Sequence, residues 1–312
     1  MQSFFISLNA VLPIVLMVLL GLFLKKKNLL DPHTFEKLNH MCFRYFLPCL
    51  LYSNIINNNI QNSVNIKLMI FTVVAVFLII VVSWIAVFFV EKDKKKIGSM
   101  VQAIYRTNYV ILGIPLSYSL YGDKGVAVTS MMIAVVIPLY NILAVIILAV
   151  NGTEKADFKK IFINIIKNPL IISASLAIIT ILSGINLPVS IKNTVSNIGK
   201  IGGNLPIVLL GASLSAVQVK DNFSNIVFAT VFRLVIIPAL IILAAVHAGF
   251  RDAVLVCIIT IFATPSAISS AIMAQEMGCD GDLAAQLVVF TSVFSAFTIF
   301  CFIFILDLYK FI

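Results

Sequence analysis

Apolar runs long enough to cross a membrane, separated by short polar clusters, recur along the whole chain. A helix needs about 20 apolar residues to span the hydrocarbon core, whereas barrel strands alternate over segments of about 10. The continuous runs predict an all-α polytopic membrane protein. Breaking the chain at its polar clusters gives ten spans, near 4–24, 38–57, 67–90, 101–121, 125–150, 160–183, 194–217, 223–247, 253–277 and 283–308. The connections are short, so no soluble domain is expected.

Composition agrees. Of 312 residues, 61% are hydrophobic and only 11% charged, against about a quarter charged in soluble domains. The net charge of +9 invites a nucleic-acid reading, but the lysines gather in short loops, where the positive-inside rule puts them. Cys42, Cys49, Cys257, Cys279 and Cys301 are odd in number and lack a Cys-x-x-Cys pair. They read as small core residues, with no disulfide frame, metal site or cofactor expected. The N-terminal "MQSFFISLNAVLP" lacks a basic leader region and is read as part of the first span.

Loops after spans 1, 3, 5, 7 and 9 hold twelve lysines and arginines, and the opposite side holds five. The odd loops are therefore expected in the cytoplasm, with both termini outside a plasma membrane. The polar stretch "NGTEKADFKK" at 151–160 divides the chain into two five-span halves, 1–150 and 161–312. Because five is odd, the second half is expected upside down relative to the first.

The fourth span of each half carries a breaker. "RTNYVILGIPLSYSLYG" holds Asn108, Gly113 and Pro115, and "IFATPSAISSAIMAQ" holds Thr264, Pro265, Ser266, Ser269 and Ser270. Proline removes a backbone donor and frees a carbonyl, and lipid satisfies neither. Interrupted segments at matching positions of two halves point to a carrier site, where the breaks cross and face a wet cavity. The half-helix N-termini there present free N–H groups and positive partial charge, which favours an anion.

Intramembrane charge leans the same way. Arg233 sits near the middle of span 8, where it would act either on substrate or on backbone carbonyls. Arg106, Lys167 and Lys200 lie near span ends and read as snorkelling side chains. None of the thirteen acids falls near a span centre, unlike the mid-membrane carboxylates of proton and cation pumps. No His-Glu-x-x-His, Gly-x-Ser-x-Gly or P-loop occurs, so an enzyme is not expected.

"NYVILGIPLSYSLYG", "ATPSAISSAIMAQEMGCDGDLAAQ", "RLVIIP" and "KNP" together resemble the auxin efflux carrier family over the whole chain. The resemblance implies two inverted five-helix repeats with crossing broken helices, and elevator-type movement of a transport bundle against a scaffold, often in a homodimer. It implies that Asn108 binds a substrate carboxylate beside Pro115 and Pro265. It also implies that Leu47 lines the scaffold side, and it matches Asn168 and Arg233 to family positions. Two features depart from the family: span 3 lacks an early acid, and "SAISS" replaces a Gln-Gly and second Pro. Both speak against auxin itself. The expected function is secondary transport of a small organic anion, auxin-like or malate-like. A sodium-coupled symporter of the bile-acid type and a non-transporting receptor or scaffold stand as alternatives.

Overall fold

The computed structural model describes residues 2–29, 31–56, 65–152, 163, 166–213 and 216–312. Residues 153–160 of the linker lie outside them. Helix α1 is Gln2–Lys26. Helix α2, Pro32–Met41, runs through a π turn, Cys42–Phe46, into α3, Leu47–Ile56. Then come α4 (Ile66–Val90), α5 (Lys94–Tyr105) and α6 (Tyr109–Asn151). The second half has α7 (Pro169–Leu182), α8 (Val189–Ser213), the short α9 (Ala216–Asp221) and α10 (Phe223–Val231). A second π turn, Phe232–Ile236, leads into α11 (Ile237–His247). Helices α12 (Asp252–Ala263), α13 (Ser269–Glu276) and α14 (Gly281–Leu308) complete the chain. Among the described residues there is no strand, only an isolated bridge between Thr107 and Ser266.

Among the described residues, four stretches are long and apolar enough to cross a membrane: Ile66–Val90, Leu112–Asn151, Phe223–His247 and Gly281–Leu308. Helix α6 bends at Gly122, whose φ of 56° and ψ of −142° are open to glycine but strained for other residues. That bend is the boundary expected between spans 4 and 5. Start signals are local and legible. Asp31 accepts the Thr34 amide ahead of Pro32, Asn168 accepts the Leu170 amide ahead of Pro169, and Asp280 accepts the Leu283 amide. Each π turn ends two residues before a proline, Pro48 or Pro238. The wider turn makes room for a ring that would otherwise strike the carbonyl four residues back.

Helix α8 packs on α1 and α3, and α3 packs on α7; elsewhere α6 packs on α12, and α5 on α4 and α14. The first contacts are built by small residues. A methyl group added at Gly211 would meet the Val18 carbonyl, and one at Gly21 the Val208 carbonyl. Gly202 lies against the Phe46 backbone. Between apolar helices in lipid, such close backbone approach supplies the packing that a hydrophobic effect cannot. Gly211→Val should therefore separate α1 from α8 at a cost of about 1–3 kcal/mol, read as a lower melting temperature in detergent, while Gly203→Ala, with open space around it, should be silent.

The loop entering α5 is fixed by Glu91, which accepts the amides of Lys92 and Asp93 and the Asn225 side chain. Burial pushes its carboxyl up, but those donors and the Lys96 ammonium outweigh it and hold the group below the usual glutamate range. A depressed carboxyl stabilises the fold above its unfolded pKa, and that contribution fades as pH falls through the folded value. Glu91→Gln should thus melt earlier than the wild type at neutral pH. The gap should close on acidification below the ordinary glutamate range, in a pH series of thermal melts.

Candidate functional site

Two helices are interrupted and cross one another. The segment at 106–108 separates α5 from α6, and the segment at 264–268 separates α12 from α13. The Asn108 amide donates to the Pro265 carbonyl at 2.8 Å, and the Ala267 amide to the Arg106 carbonyl at 3.1 Å. Ser266 is fully buried; its hydroxyl donates to the Ala103 carbonyl at 2.6 Å, and its amide donates to Thr291 Oγ1 at 3.2 Å. Each broken segment thus satisfies backbone groups of the other, which hydrocarbon could not do.

The first break is not where the Gly-Ile-Pro suggested. Helix α6 runs unbroken through Gly113 and Pro115. Gly113 is buried against Tyr109 and Thr260, and Pro115 is exposed on the helix surface. The chain is non-helical at 106–108 and re-enters a helix after Asn108 (φ −84°, ψ 51°), seven residues before the proline. The reason is tertiary: at 106–108 the backbone finds partners across the crossover, so the helix ends there.

A cavity of about 270 Å³ lies against the crossover, closed by α3, α7 and α8. Asn108, Tyr109 and Val110 at the start of α6, and Ala267 and Ser269 at the start of α13, border it. Both half-helix N-termini therefore meet the cavity, bringing positive partial charge and first-turn N–H groups. Arg106 reaches it too, 5% exposed, its guanidinium donating to Asn141 Oδ1 at 2.8 Å and Ser270 Oγ at 3.3 Å. Across from it α8 contributes Lys200 and Asn204, and α3 contributes Leu47 and Asn54. Among the described residues no carboxylate lines this space. Asn108 stands where a helix-capping residue would, yet its side chain makes no capping bond, and its Nδ2 is buried with no hydrogen-bond partner among the described residues. An orphaned amide donor costs free energy unless something else accepts from it.

The remaining expected residues serve the frame. Thr264 is fully buried; its hydroxyl donates to the Thr260 carbonyl, and its own carbonyl accepts twice from Arg233. Arg233, 0% exposed, also donates to the Ile104 carbonyl at 2.9 Å and does not border the cavity. Asn168 caps α7 and donates to Met277 Sδ at 3.7 Å. Of the ten residues expected at the site, Leu47, Asn108 and Ser269 border the cavity.

Arg106 and Lys200, read from the sequence as snorkelling, are its two cations among the described residues, and Asn141 carries no signal in the sequence reading. The signal for Arg106 was Asn108 itself: an N-cap residue type within an apolar run lets a helix start there and leaves Arg106 in the break before it. Away from the cavity, α2 and α13 are joined by Asn39 to Gln275 at 2.6 Å and His40 to Glu276 at 3.0 Å. A second space, about 770 Å³, opens beside that junction between α3, α7 and α8, with Arg44 and Lys167 on its walls.

The crossover depends on hydrogen-bond partners that can be removed singly. Thr291→Val keeps volume but strands the buried Ser266 amide, and should cost about 1–3 kcal/mol in thermal unfolding. Thr298→Val, farther along α14 and bonded only to its own helix, should be near neutral.

Residues 6–303 match the family described as membrane transport protein. The chain is 23% identical over 285 residues to the uncharacterized transporter YfdV of Escherichia coli K12, covering 88% of this chain and 89% of that one. It is 23% identical over 309 residues to the uncharacterized transporter MJ1031 of Methanocaldococcus jannaschii, covering 94% and 97%. Apolar membrane helices, a crossover of two broken helices and a match over nearly the whole chain agree: the protein is a membrane transporter, not an enzyme, and belongs to the auxin efflux carrier type of the membrane transport protein family.

Proposed function

We propose that the protein is a secondary carrier for a small organic anion, a carboxylate of auxin-like or malate-like size, working by alternating access. The observation that carries this reading is the cavity at the crossover. Two helix N-termini, the Arg106 guanidinium and the unpartnered Asn108 amide converge there, with no acid among the described lining residues. Neutral partners, Asn141 and Ser270, hold Arg106 in place without cancelling its charge. An entering carboxylate gains charge-assisted bonds that no resident acid already occupies.

In this reading the chain forms ten spans as two inverted repeats, 1–150 and 161–312, with both termini outside the plasma membrane. Helices α1, α2, α3, α7 and α8 act as the scaffold, and the crossover moves with α4, α10, α11 and α14 as the transport bundle. The grouping follows the packing of α8 on α1 and α3. Leu47, Leu170 and Lys200 then face the substrate from the scaffold. The paired contacts Asn39–Gln275 and His40–Glu276 join the two bodies, and both must open when the bundle moves. A homodimer through the scaffold fits the same scheme.

Purified protein screened by thermal shift against mono- and dicarboxylates should give a saturable hit, and counterflow of that anion in proteoliposomes should follow. Asn108→Ala and Arg106→Gln should each weaken binding by about 10-fold or more, since each removes a hydrogen bond to a charged group worth about 1.5–3 kcal/mol. Carboxylate binding unchanged in both variants would place the substrate elsewhere.

A further inference from the structure

The crossover has two electrically opposite sides. On one, the N-termini of α6 and α13 meet the cavity. On the other lie the C-terminal ends of α5 and α12, whose last carbonyls carry negative partial charge in a medium without water. We infer that Arg233 is the carrier's built-in counter-cation, a positioning residue that neutralises both half-helix C-termini and takes the place a coupling metal ion would need.

The geometry is specific. Arg233 Nη1 donates to the Ile104 carbonyl near the end of α5, and Nε and Nη2 both donate to the Thr264 carbonyl just past the end of α12. A carbonyl oxygen has two lone pairs, so Thr264 is saturated and has none left for an ion. The neighbouring carbonyls are also engaged: Ala103 by the Ser266 hydroxyl, Ile261 by the Tyr140 hydroxyl and Pro265 by the Asn108 amide. The guanidinium is 0% exposed, and no salt bridge to an acid offsets it among the described residues. A buried charge persists only when dipoles or an opposite charge replace its water; here the two helix ends are that replacement. The π turn Phe232–Ile236 carries the residue, and such an inserted turn shifts the side chains that follow onto a new face.

Two consequences follow. Arg233 ties the helix of α10 and α11 to both broken helices, so these segments move together. The second rests on the anion-carrier reading above: the site at the crossover carries its positive charge permanently, and the anion crosses without a sodium ion bound at these carbonyls.

The test compares wild type, Arg233→Ala and Arg233→Lys by thermal melts and counterflow in sodium, potassium and choline chloride. Wild type is expected to melt and transport alike in all three. Arg233→Ala should melt about 5–10 °C lower and be restored, in melting and in counterflow, by millimolar guanidinium. Arg233→Lys, which keeps the charge but not the fork, should fall between them and serves if the alanine variant does not fold. A saturable sodium-dependent rise in wild-type melting, sodium-dependent counterflow, or an Arg233→Ala protein indifferent to guanidinium would each overturn the inference. If no anion moves in any medium, the carrier reading fails, while the melts still decide the role of Arg233.

Discussion

The backbone of two interrupted helices, left without intrahelical partners in the middle of an apolar fold, has to find partners in the other. Asn108 with Pro265 and Ala267 with Arg106 make that exchange, and the Thr107–Ser266 bridge lies between them. The buried hydroxyls and amides beside the crossing are arranged around that necessity. Once the segments pair, four half-helix ends are fixed in space with opposite partial charges on opposite sides. The positive ends border the cavity, and the negative ends are held by Arg233. The proposed anion site and the buried Arg233 are thus two results of one crossing.

The same constraint explains why the interior is rich in hydroxyls and amides rather than acids. Ser266, Thr291, Thr264 and Tyr140 each bond a carbonyl or amide that the breaks would otherwise leave bare. A carboxylate among them would have claimed Arg106 or Arg233 as a salt-bridge partner and removed the electropositive character of the site. Neutral partners position the guanidinium groups and leave their charge available. Outside the crossover the fold relies on close backbone contact at Gly21, Gly202 and Gly211. That packing is indifferent to charge.

How the candidate site was legible differs residue by residue. The polarity pattern alone revealed Asn108 and the Ser-rich segment after Pro265, because amides and hydroxyls stand out in a run of Ile, Val and Leu. The proline at 115 misled, since a breaker in sequence is only a potential break; the helix bends or continues according to what its neighbours offer. With the break placed there, Arg106 is judged only by its nearness to the start of a span bounded at 101–121, and it looks solvent-seeking. Putting the break at Asn108 brings Arg106 to the crossover itself. Lys200 is exposed and bonded to Asn197 on its own helix, as a snorkelling side chain can be, and it borders the cavity as well.

The sequence by itself determined the membrane class, the approximate positions of the helices, the two polar interruptions and the shortage of interior acids. These follow from hydropathy, length and residue type, which act locally and need no partner. Only the tertiary structure decided where the first helix stops, that Arg233 serves carbonyls while Arg106 serves the cavity, and that Asn108 leaves its amide uncapped. Those outcomes depend on which backbone group lies opposite which, and a polar group buried in hydrocarbon takes its role from the partner within reach of a hydrogen bond.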